Sequence, residues 1–352
     1  MKIGIITPAN LWSCPYVDIY RKILDKQNIA YDIITWCRDG KDEEDCVQFK
    51  LLKAGNSLQK FLSYFSFASF LKKKILSNRY DKLIVFTPQT GIFISFFLKK
   101  YYKGKYIFDY RDLSIEQKLF LKKPFLRLLD NSFANVISSP GFKRCLPKRK
   151  YLLSHNFDVN VVRQAIGRRD EIGFGSEEKI DVLTIGAIRD YSSNVQVLDA
   201  LANKSRFNIR FVGKGDAAVL LEERCKKSGI NNATFVGFYR KPEEAEYVKQ
   251  ATFMNIFYPR IITHDTALSN RFYNSLIYRK PMIVTKDTCQ GDYVENYNVG
   301  VALRDCSNIE SELISFMKQD YDAYADRCDK LLEGFLEDYD LFEKTIESFI
   351  NL

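Results

Sequence analysis

The sequence predicts an α/β protein with two doubly wound domains that face a cleft. Apolar runs of strand length alternate with helical patterns along most of the 352 residues. Such alternation is typical of parallel sheets that are covered on both faces by helices. The alternation stops once, near the middle of the chain, and then begins again. A chain of this length divides on average into about two domains, so each half is expected to form its own sheet.

The first half contains five apolar runs that are typical of strands. These runs are 2–7, 31–36, 82–87, 105–110 and 135–138. The longest apolar stretch, 83–98, is interrupted by polar residues and is shorter than the roughly 20 residues of a membrane-spanning helix. We interpret it as strand, turn and helix. The predicted N-terminal domain is 1–155.

A polar stretch with glycines, 156–179, is the predicted linker. Six further apolar runs follow it: 181–186, 208–212, 233–236, 254–257, 281–285 and 299–302. They predict a second domain over 180–335. From 308 to the end the pattern is that of two or three amphipathic helices. We expect 336–352 to be a helix that packs back on the first domain.

The composition is that of a globular protein, with 46% hydrophobic and 28% charged residues. Abundant Phe and Tyr, 27 and 21 residues, can fill large cores without disulfides or metals. The eight cysteines form no Cys-x-x-Cys pair and have no histidines at zinc-ligand spacing. The first apolar run is too short for the apolar region of a signal peptide and is typical of a first strand. We therefore expect a cytoplasmic protein with free thiols and no cofactor or metal.

The charge is distributed unevenly along the chain. Residues 1–165 contain 29 Lys and Arg against 14 Asp and Glu, a net charge of +15, whereas the remainder contains 24 against 30, a net charge of −6. A basic first half favours contact with a polyanionic surface, either anionic lipid or nucleic acid. Ordinary solvated charge is the alternative. Since no RNA-binding module is recognisable, we predict no nucleic-acid partner.

Several enzyme classes lose support because their motifs are missing. The turn after the first run, 7–12, contains neither a Walker A loop nor a Gly-x-Gly-x-x-Gly sequence. The chain has no His-Glu-x-x-His and no Gly-x-Ser-x-Gly, and its only histidines are His155 and His264. Kinase, dinucleotide-cofactor and common hydrolase chemistry are therefore not indicated.

Two glycine turns in the second half indicate a phosphate site. One run ends in Gly186 followed by Arg189, and the next ends in Gly213 followed by Lys214. Both turns lie at the carboxyl end of a predicted strand, where open α/β sheets bind ligands. Glycine lets the backbone approach a ligand, and the two cations can neutralise a diphosphate. A turn glycine beside a solvated cation is the simpler alternative for each turn.

A third segment, 267–284, places a polar turn before a helix and a Lys-Pro pair before a buried run. Together with the two turns and 235–238, it resembles the donor site of GT-B glycosyltransferases, especially the family 4-like enzymes of surface polysaccharide synthesis. The resemblance follows the same order along nearly the whole chain. It implies two Rossmann-like domains, a nucleotide diphosphate sugar bound by the second, and retention at the anomeric carbon. The implied donor-binding residues are Gly186, Arg189, Gly213, Lys214, Gly237, Phe238, Thr266, Ser269, Asn270, Arg271 and Asn274.

The chain departs from this family at two acidic positions. The family has two Glu separated by seven residues, and this chain has Thr266 and Asn274 there. An amide both donates and accepts hydrogen bonds, so Asn274 can still bind ribose hydroxyls. Asn270 and Arg271 begin a helix, whose N-terminus favours phosphate. A plain N-cap is the alternative role of Asn270.

The acceptor side is predicted in the first domain. Asp109, Arg111 and Asp112 follow a predicted strand and are similar to an Asp-x-Arg-Asp segment of some family 4-like members. Asp109 and Asp112 are the predicted catalytic acids, which would receive the proton of the acceptor hydroxyl or orient the acceptor. Ion pairing of Arg111 with a neighbouring acid is the alternative. Further residues are expected at the acceptor or the hinge: Asn10, Trp12, Arg111 and His155.

Two stretches of the first half combine aromatic and basic residues, 57–80 and 118–129. Such helices suit an anionic lipid interface, although they can also simply cover the sheet. The sequence therefore predicts a metal-independent, peripherally membrane-bound glycosyltransferase that uses a UDP-sugar and a saccharide or lipid-linked acceptor. A nucleotide-sugar 2-epimerase and a non-catalytic GT-B subunit are the rival hypotheses, and the oligomeric state is left open.

Overall fold

The computed structural model describes residues 1–51, 57–169, 173–175 and 178–352. Parts of the predicted linker, 170–172 and 176–177, therefore lie outside the described residues. The chain divides into two units. The first unit contains Met1–Ser138, Pro147–Ser154 and Asp338–Leu352. The second contains Ser139–Leu146 and His155–Glu337.

Among the described residues, the first unit contains a sheet of seven parallel strands in the order β3-β2-β1-β4-β5-β6-β7. The strands are β1 (Lys2–Ile6), β2 (Ala30–Cys37), β3 (Cys46–Lys50), β4 (Lys82–Phe86), β5 (Tyr106–Tyr110), β6 (Ala134–Ile137) and β7 (Leu152–Leu153). The helices are α1 (Val17–Lys26), α2 (Ser57–Asn78), α3 (Pro88–Gly91), α4 (Ser95–Tyr101) and α5 (Lys122–Asp130). The apolar residues of β1 and β4 are fully buried because helices cover both sheet faces.

The second unit has the same architecture. Its described strands form a parallel sheet in the order β10-β9-β8-β11-β12-β13. They are β8 (Ile180–Ile185), β9 (Phe207–Val212), β10 (Ala233–Gly237), β11 (Phe253–Ile256), β12 (Met282–Thr285) and β13 (Gly300–Leu303). The helices are α6 (Val159–Ala165), α7 (Tyr191–Leu201), α8 (Asp216–Ser228), α9 (Glu244–Lys249), α10 (Ile262–Thr266), α11 (Asn270–Ile277), α12 (Cys289–Tyr297), α13 (Ile309–Met317) and α14 (Tyr321–Asn351).

The predicted fold class of two parallel, doubly wound sheets is confirmed. In each sheet the strand that comes first in the chain lies in the middle, and the later strands are added first on one side of it and then on the other. This strand is β1, between β2 and β4, in the first unit, and β8, between β9 and β11, in the second. Ligands of open α/β sheets bind beyond the carboxyl ends of the strands at such a switch point. The switch between β8 and β11 is where the site of the second unit is found.

Helix α14 supplies residues to the core of the first unit through its last turns. Phe342, Ile346 and Phe349 are fully buried there, and the Phe342 ring lies 5.1 Å from that of Tyr20. The helix runs without a break past position 336, where the sequence predicted the last boundary. No described helix is both long and apolar enough to cross a membrane. The eight cysteines are free thiols.

Candidate functional site

Two adjoining cavities open beyond the carboxyl ends of β8 and β11. The first, of about 270 Å³, is called the Arg189 cavity, and the second, of about 230 Å³, is called the Glu244 cavity. Ala187, Tyr258 and Ser269 line both. The Arg189 cavity is completed by Arg189, Asp190, His264, Ala267 and Gln290, and the Glu244 cavity by Ile185, Gly186, Tyr239, Glu244, Asn270, Arg271 and Asn274.

The two glycine turns touch one another. Gly186 has φ 98° and Gly213 has φ 133°, a backbone region that favours glycine. A Cβ on Gly213 would lie 1.9 Å from the carbonyl oxygen of Gly186, so no side chain fits there. The amide of Ile188 also donates to the carbonyl oxygen of Lys214, at 3.0 Å. The turns after β8 and β9 therefore form one continuous backbone surface.

Arg189 and Lys214 are both exposed on this surface. Among the described residues, neither side chain makes an ion pair or a hydrogen bond. Lys214 Nζ lies 5.5 Å from the centre of the Phe238 ring, which is itself 70% exposed. Gly237, with φ 73°, lets the chain turn before Phe238. Two cations that no described carboxylate neutralises thus lie beside a glycine-rich backbone. Such an arrangement is suited to binding an anion.

Helix α11 begins beside the same cavities. Ser269 is its N-cap, since the Ser269 hydroxyl accepts a hydrogen bond from the amide of Phe272 at 3.3 Å. The alternative prediction of Asn270 as N-cap was wrong by one residue. Gln290 Oε1 accepts from both the amide and the hydroxyl of Ser269, at 3.0 and 2.8 Å. Asn270 Oδ1 accepts from Asn156 at 2.8 Å.

Arg271 lies at the start of α11 but turns inward. It is 8% exposed, and its guanidinium donates to the carbonyl oxygens of Ile185, Ala187 and Asn255. These carbonyls belong to the ends of β8 and β11, so Arg271 fixes the rim of the Glu244 cavity. Its role as a second phosphate-binding cation stays a prediction.

The two positions at which the family 4-like enzymes have acids are placed differently in this structure. Thr266 is 1% exposed, and its hydroxyl donates to the carbonyl oxygen of Ile262 at 2.8 Å. Its neighbour Ala267, not Thr266, lines the Arg189 cavity. Asn274 does line the Glu244 cavity, where its Nδ2 donates to Glu244 Oε1 at 2.7 Å. The structure therefore brings a carboxylate to Asn274.

The sequence reasoning missed Glu244, and with it Tyr239, Tyr258, His264 and Gln290. Burial raises the pKa of Glu244, but hydrogen bonds from Lys241, Tyr239 and Asn274 outweigh burial and lower it. The carboxylate is thus charged at neutral pH. No motif marks these five residues. Only the position of Glu244 shortly after the Gly237 turn could have drawn attention to it.

No family model and no curated protein matches this sequence. Solved structures do match, at low identity. Sucrose-phosphate synthase from Thermosynechococcus elongatus has a TM-score of 0.70 at 11% identity, over 100% of this chain and 99% of that one. The E. coli trehalose-6-phosphate structure bound with UDP-2-fluoro glucose has a TM-score of 0.71 at 9% identity, over 99% of this chain and 98% of that one. The lipopolysaccharide outer core galactosyltransferase WaaB gives 0.69 at 14%, over 99% of both chains. This chain has the GT-B fold.

In this GT-B chain, the first unit carries the predicted acceptor residues. Asp109 is fully buried, and its Oδ2 accepts from Tyr20 at 2.7 Å and from Arg111 at 2.6 Å. Arg111, 6% exposed, also donates to the hydroxyl and the carbonyl oxygen of Ser154, at 3.0 Å each. The alternative prediction of an ion pair is the arrangement found. The Asp109 carboxylate offers no accessible oxygen to an acceptor.

Asp112, the other predicted acid, reaches the surface of the first unit. Desolvation by the surrounding protein raises the pKa of its carboxyl group against the opposing charge of Arg111. An acid that is less easily ionised than usual, and still accessible, is suited to proton transfer. Of the two predicted acids, Asp112 is the one whose position fits chemistry.

The remaining predicted residues are dispersed. Asn10 is 3% exposed, and its Oδ1 accepts from the amide of Arg38 at 3.0 Å. Trp12 is 71% exposed and donates to Asp39 at 3.2 Å. His155 belongs to the second unit, where it is buried, with its Nδ1 2.9 Å from the Tyr273 hydroxyl and its ring 4.4 Å from that of Phe335. This environment is that of a packed histidine.

Metal ligands were not predicted for this GT-B chain. Among the described residues, no group of three or more His, Cys, Asp or Glu side chains is arranged to hold a metal ion. The charged side chains that the second unit presents at the two cavities and the glycine turns include Arg189, Lys214 and Glu244.

Proposed function

We propose that this protein is a glycosyltransferase that moves a sugar from a nucleotide diphosphate sugar to a saccharide acceptor. The observation that carries the proposal is the pair of adjoining cavities at the switch between β8 and β11. Arg189 provides positive charge at one cavity, and polar side chains of α11 line the other. We expect a UDP-sugar as donor. The GT-B structures with similar folds include one bound with UDP-2-fluoro glucose, which supports a donor of this class.

The charge at the site suits departure of a nucleoside diphosphate. When the bond from the sugar to the diphosphate breaks, negative charge accumulates on the leaving oxygen. Arg189, Lys214 and the backbone of the glycine turns would stabilise that charge without a metal ion. A Cβ on Gly186 would meet the Tyr239 hydroxyl at 3.9 Å, so the backbone there is open to phosphate, whereas the missing Cβ of Gly213 lets the two turns pack together. Retention at the anomeric carbon remains an expectation from the family 4-like resemblance.

We further propose that the acceptor is linked to lipid, as in surface polysaccharide synthesis, and that the first unit binds the cytoplasmic face of the membrane. Its support is an exposed aromatic surface. Phe65 and Phe120 are 52% and 64% exposed. The centres of their rings lie 5.2 and 6.2 Å from the centre of the Phe61 ring. Leu62 and Leu119 are 55% and 88% exposed. Phe125 is buried, so of the four phenylalanines considered from the sequence it belongs to the core.

The basic residues next to this surface fit anionic lipid. Lys122 and Lys123 follow Phe120 closely and are exposed, and Arg127 lies over Phe96, with its Cζ 5.8 Å from the ring centre. Aromatic side chains can insert shallowly into the interface while nearby lysines contact anionic headgroups. Phe96 is 68% exposed, which extends the apolar area to α4.

The proposal is tested by incubating the protein with a panel of nucleotide sugars, with and without saccharide and lipid-linked acceptors. We expect nucleoside diphosphate to be released, with sugar incorporated into one acceptor class. Conversion of the sugar in the absence of acceptor, detected by NMR, would instead indicate the 2-epimerase. The Listeria monocytogenes structure described as a 2-epimerase is also similar in fold, with a TM-score of 0.60. Nucleotide binding without turnover on any acceptor would indicate a non-catalytic subunit.

A further inference from the structure

The wall of the Glu244 cavity contains a carboxylate, that of Glu244, beside the Arg271 guanidinium. Glu244 lies at the start of α9, and its side chain is 13% exposed. Its Oε1 accepts from Lys241 at 2.6 Å and from Asn274 at 2.7 Å, and its Oε2 accepts from Tyr239 at 2.7 Å. The loop before α9 and helix α11 thus both donate to one carboxylate in the cavity wall.

A carboxylate at this place excludes phosphate and favours hydroxyl donors. A carboxylate offers about four acceptor positions, and the protein uses three of those of Glu244. The one that remains is on Oε2. Because the charge is retained at neutral pH, a ligand hydroxyl that donates to it makes a charge-assisted hydrogen bond. Asn274 contributes its amide beside the carboxylate, and Arg271 holds the strand ends that form the opposite rim.

We infer that Glu244, held by Asn274 and Tyr239, is the hydroxyl-recognition residue of the ligand site. It takes the place of the acidic side chain that α11 lacks at Asn274, and brings the charge from α9. This inference rests on the proposed function, because the hydroxyls are those of a nucleotide sugar. They can belong to the ribose or to the transferred sugar, and both present the same chemistry to a carboxylate.

Binding of four ligands, measured by calorimetry, tests the inference: UDP, 2′-deoxy-UDP, 3′-deoxy-UDP and UDP-glucose. If Glu244 binds the ribose, the wild-type protein should prefer UDP over a deoxy analogue by about tenfold or more, and Glu244→Gln should reduce that preference to within about twofold. If it binds the sugar, Glu244→Gln should instead remove the affinity that UDP-glucose gains over UDP. If Glu244→Gln keeps both the preference for UDP over its deoxy analogues and the higher affinity for UDP-glucose than for UDP, the inference is overturned.

A matched control is available on the same helix. Glu246 is exposed and pairs with Lys249 at 3.0 Å, just as Glu244 pairs with Lys241, but it does not line the cavity. Glu246→Gln should leave all four affinities unchanged. Glu244→Asp keeps the charge but shortens the side chain by one methylene, so it should also reduce the hydroxyl preference; an unchanged preference in this variant would overturn the inference even if Glu244→Gln folds poorly. Failure of wild-type protein to bind UDP at all would refute the proposed function, whereas binding without any effect of Glu244→Gln refutes only this inference.

Discussion

Arg111 Nη2 lies 2.6 Å from Asp109 Oδ2, and the two side chains are 4% and 0% exposed. Loss of one partner leaves a buried charge without compensation, which typically costs about 3–5 kcal/mol. We therefore expect Asp109→Ala and Arg111→Ala each to lower the free energy of unfolding of the protein by roughly that amount. Urea denaturation measures it.

Exposed ion pairs of the same unit provide the control. Arg149 and Asp130 form a pair at 2.9 Å, with side chains 43% and 46% exposed. Solvent screens such an exposed pair, so Arg149→Ala should change the free energy of unfolding far less than Asp109→Ala does. If Asp109→Ala folds with unchanged stability but loses turnover, the structural account of this pair is wrong and the catalytic prediction for Asp109 gains support.

The fold was predictable because its signal is repeated along the chain. Five of the seven strands of the first sheet and all six of the second coincide with apolar runs, within a few residues at their ends. Cys46–Lys50 was missed because this edge strand is only partly buried and has charged flanks, and Leu152–Leu153 because it is too short. Thr87 was placed in a strand, but its φ of 65° ends β4 and begins α3.

The site was predictable only where one motif carries it. Gly186 and Gly213 could be named because each directly follows a strand, and Arg189 because it lies in the turn that Gly186 begins. Glu244 could not, since it meets Asn274 only through the packing of α9 against the sheet, 30 residues away in sequence. The inward turn of Arg271 likewise depends on carbonyl groups of two strands that the sequence does not bring together.

Replacement of Asp112 should separate stability from activity. The raised pKa means that ionisation of Asp112 opposes folding: the effect is absent below the unfolded value of about 3.8 and grows as the pH rises through the folded value. Asp112→Asn should therefore melt slightly higher than wild type at pH 7, and the difference should shrink as the pH is lowered towards 4.

In the same variant we expect turnover to fall by about 10²–10⁴-fold, with donor binding intact, because the proton acceptor is lost. Asp18→Asn, an exposed carboxylate on α1, is the control and should change neither property. Full turnover by Asp112→Asn would exclude it as the acid of the reaction.

Activity should not depend on a divalent metal. Arg189 and Lys214 would supply the positive charge that a metal ion provides in other nucleotide-sugar enzymes, and the two Asp-x-Asp sequences of the chain, 320–322 and 338–340, line neither cavity. Turnover is therefore expected to be unchanged, within about twofold, after dialysis against EDTA. Activity that EDTA abolishes and manganese restores would show that these cations are insufficient.

The membrane proposal is tested by co-sedimentation with vesicles. Wild-type protein should bind anionic but not neutral vesicles at low salt and be released at high salt, because each Lys near the surface contributes about 1 kcal/mol and salt screens the attraction. Three variants should each bind anionic vesicles more weakly than wild type. They are the double variant Lys122→Glu with Lys123→Glu, the single variant Phe120→Ser, and the triple variant in which Lys72, Lys73 and Lys74 of α2 become Glu.

Lys148 and Lys150 flank Arg149, which pairs with Asp130 at the other end of α5 from Lys122. Lys148→Glu combined with Lys150→Glu changes the net charge equally and should bind almost as wild type. Loss of binding in this control to the same extent as in the Lys122 and Lys123 variant would mean that overall charge, not the aromatic surface, drives attachment. If the wild-type protein does not bind anionic vesicles even at low salt, the hypothesis of a soluble acceptor is favoured.

The most direct test of the central claim compares UDP with uridine in calorimetric titrations of wild type, Arg189→Ala and Lys214→Ala. Each cation that contacts the diphosphate should contribute about 1.5–3 kcal/mol. Each variant should thus lose roughly 10- to 150-fold in affinity for UDP, with little change for uridine. Lys227→Ala, an exposed lysine of α8 with its side chain 80% exposed, should bind UDP as wild type does. Equal losses for UDP and uridine, or no loss for either, would contradict a diphosphate site at the turns after β8 and β9.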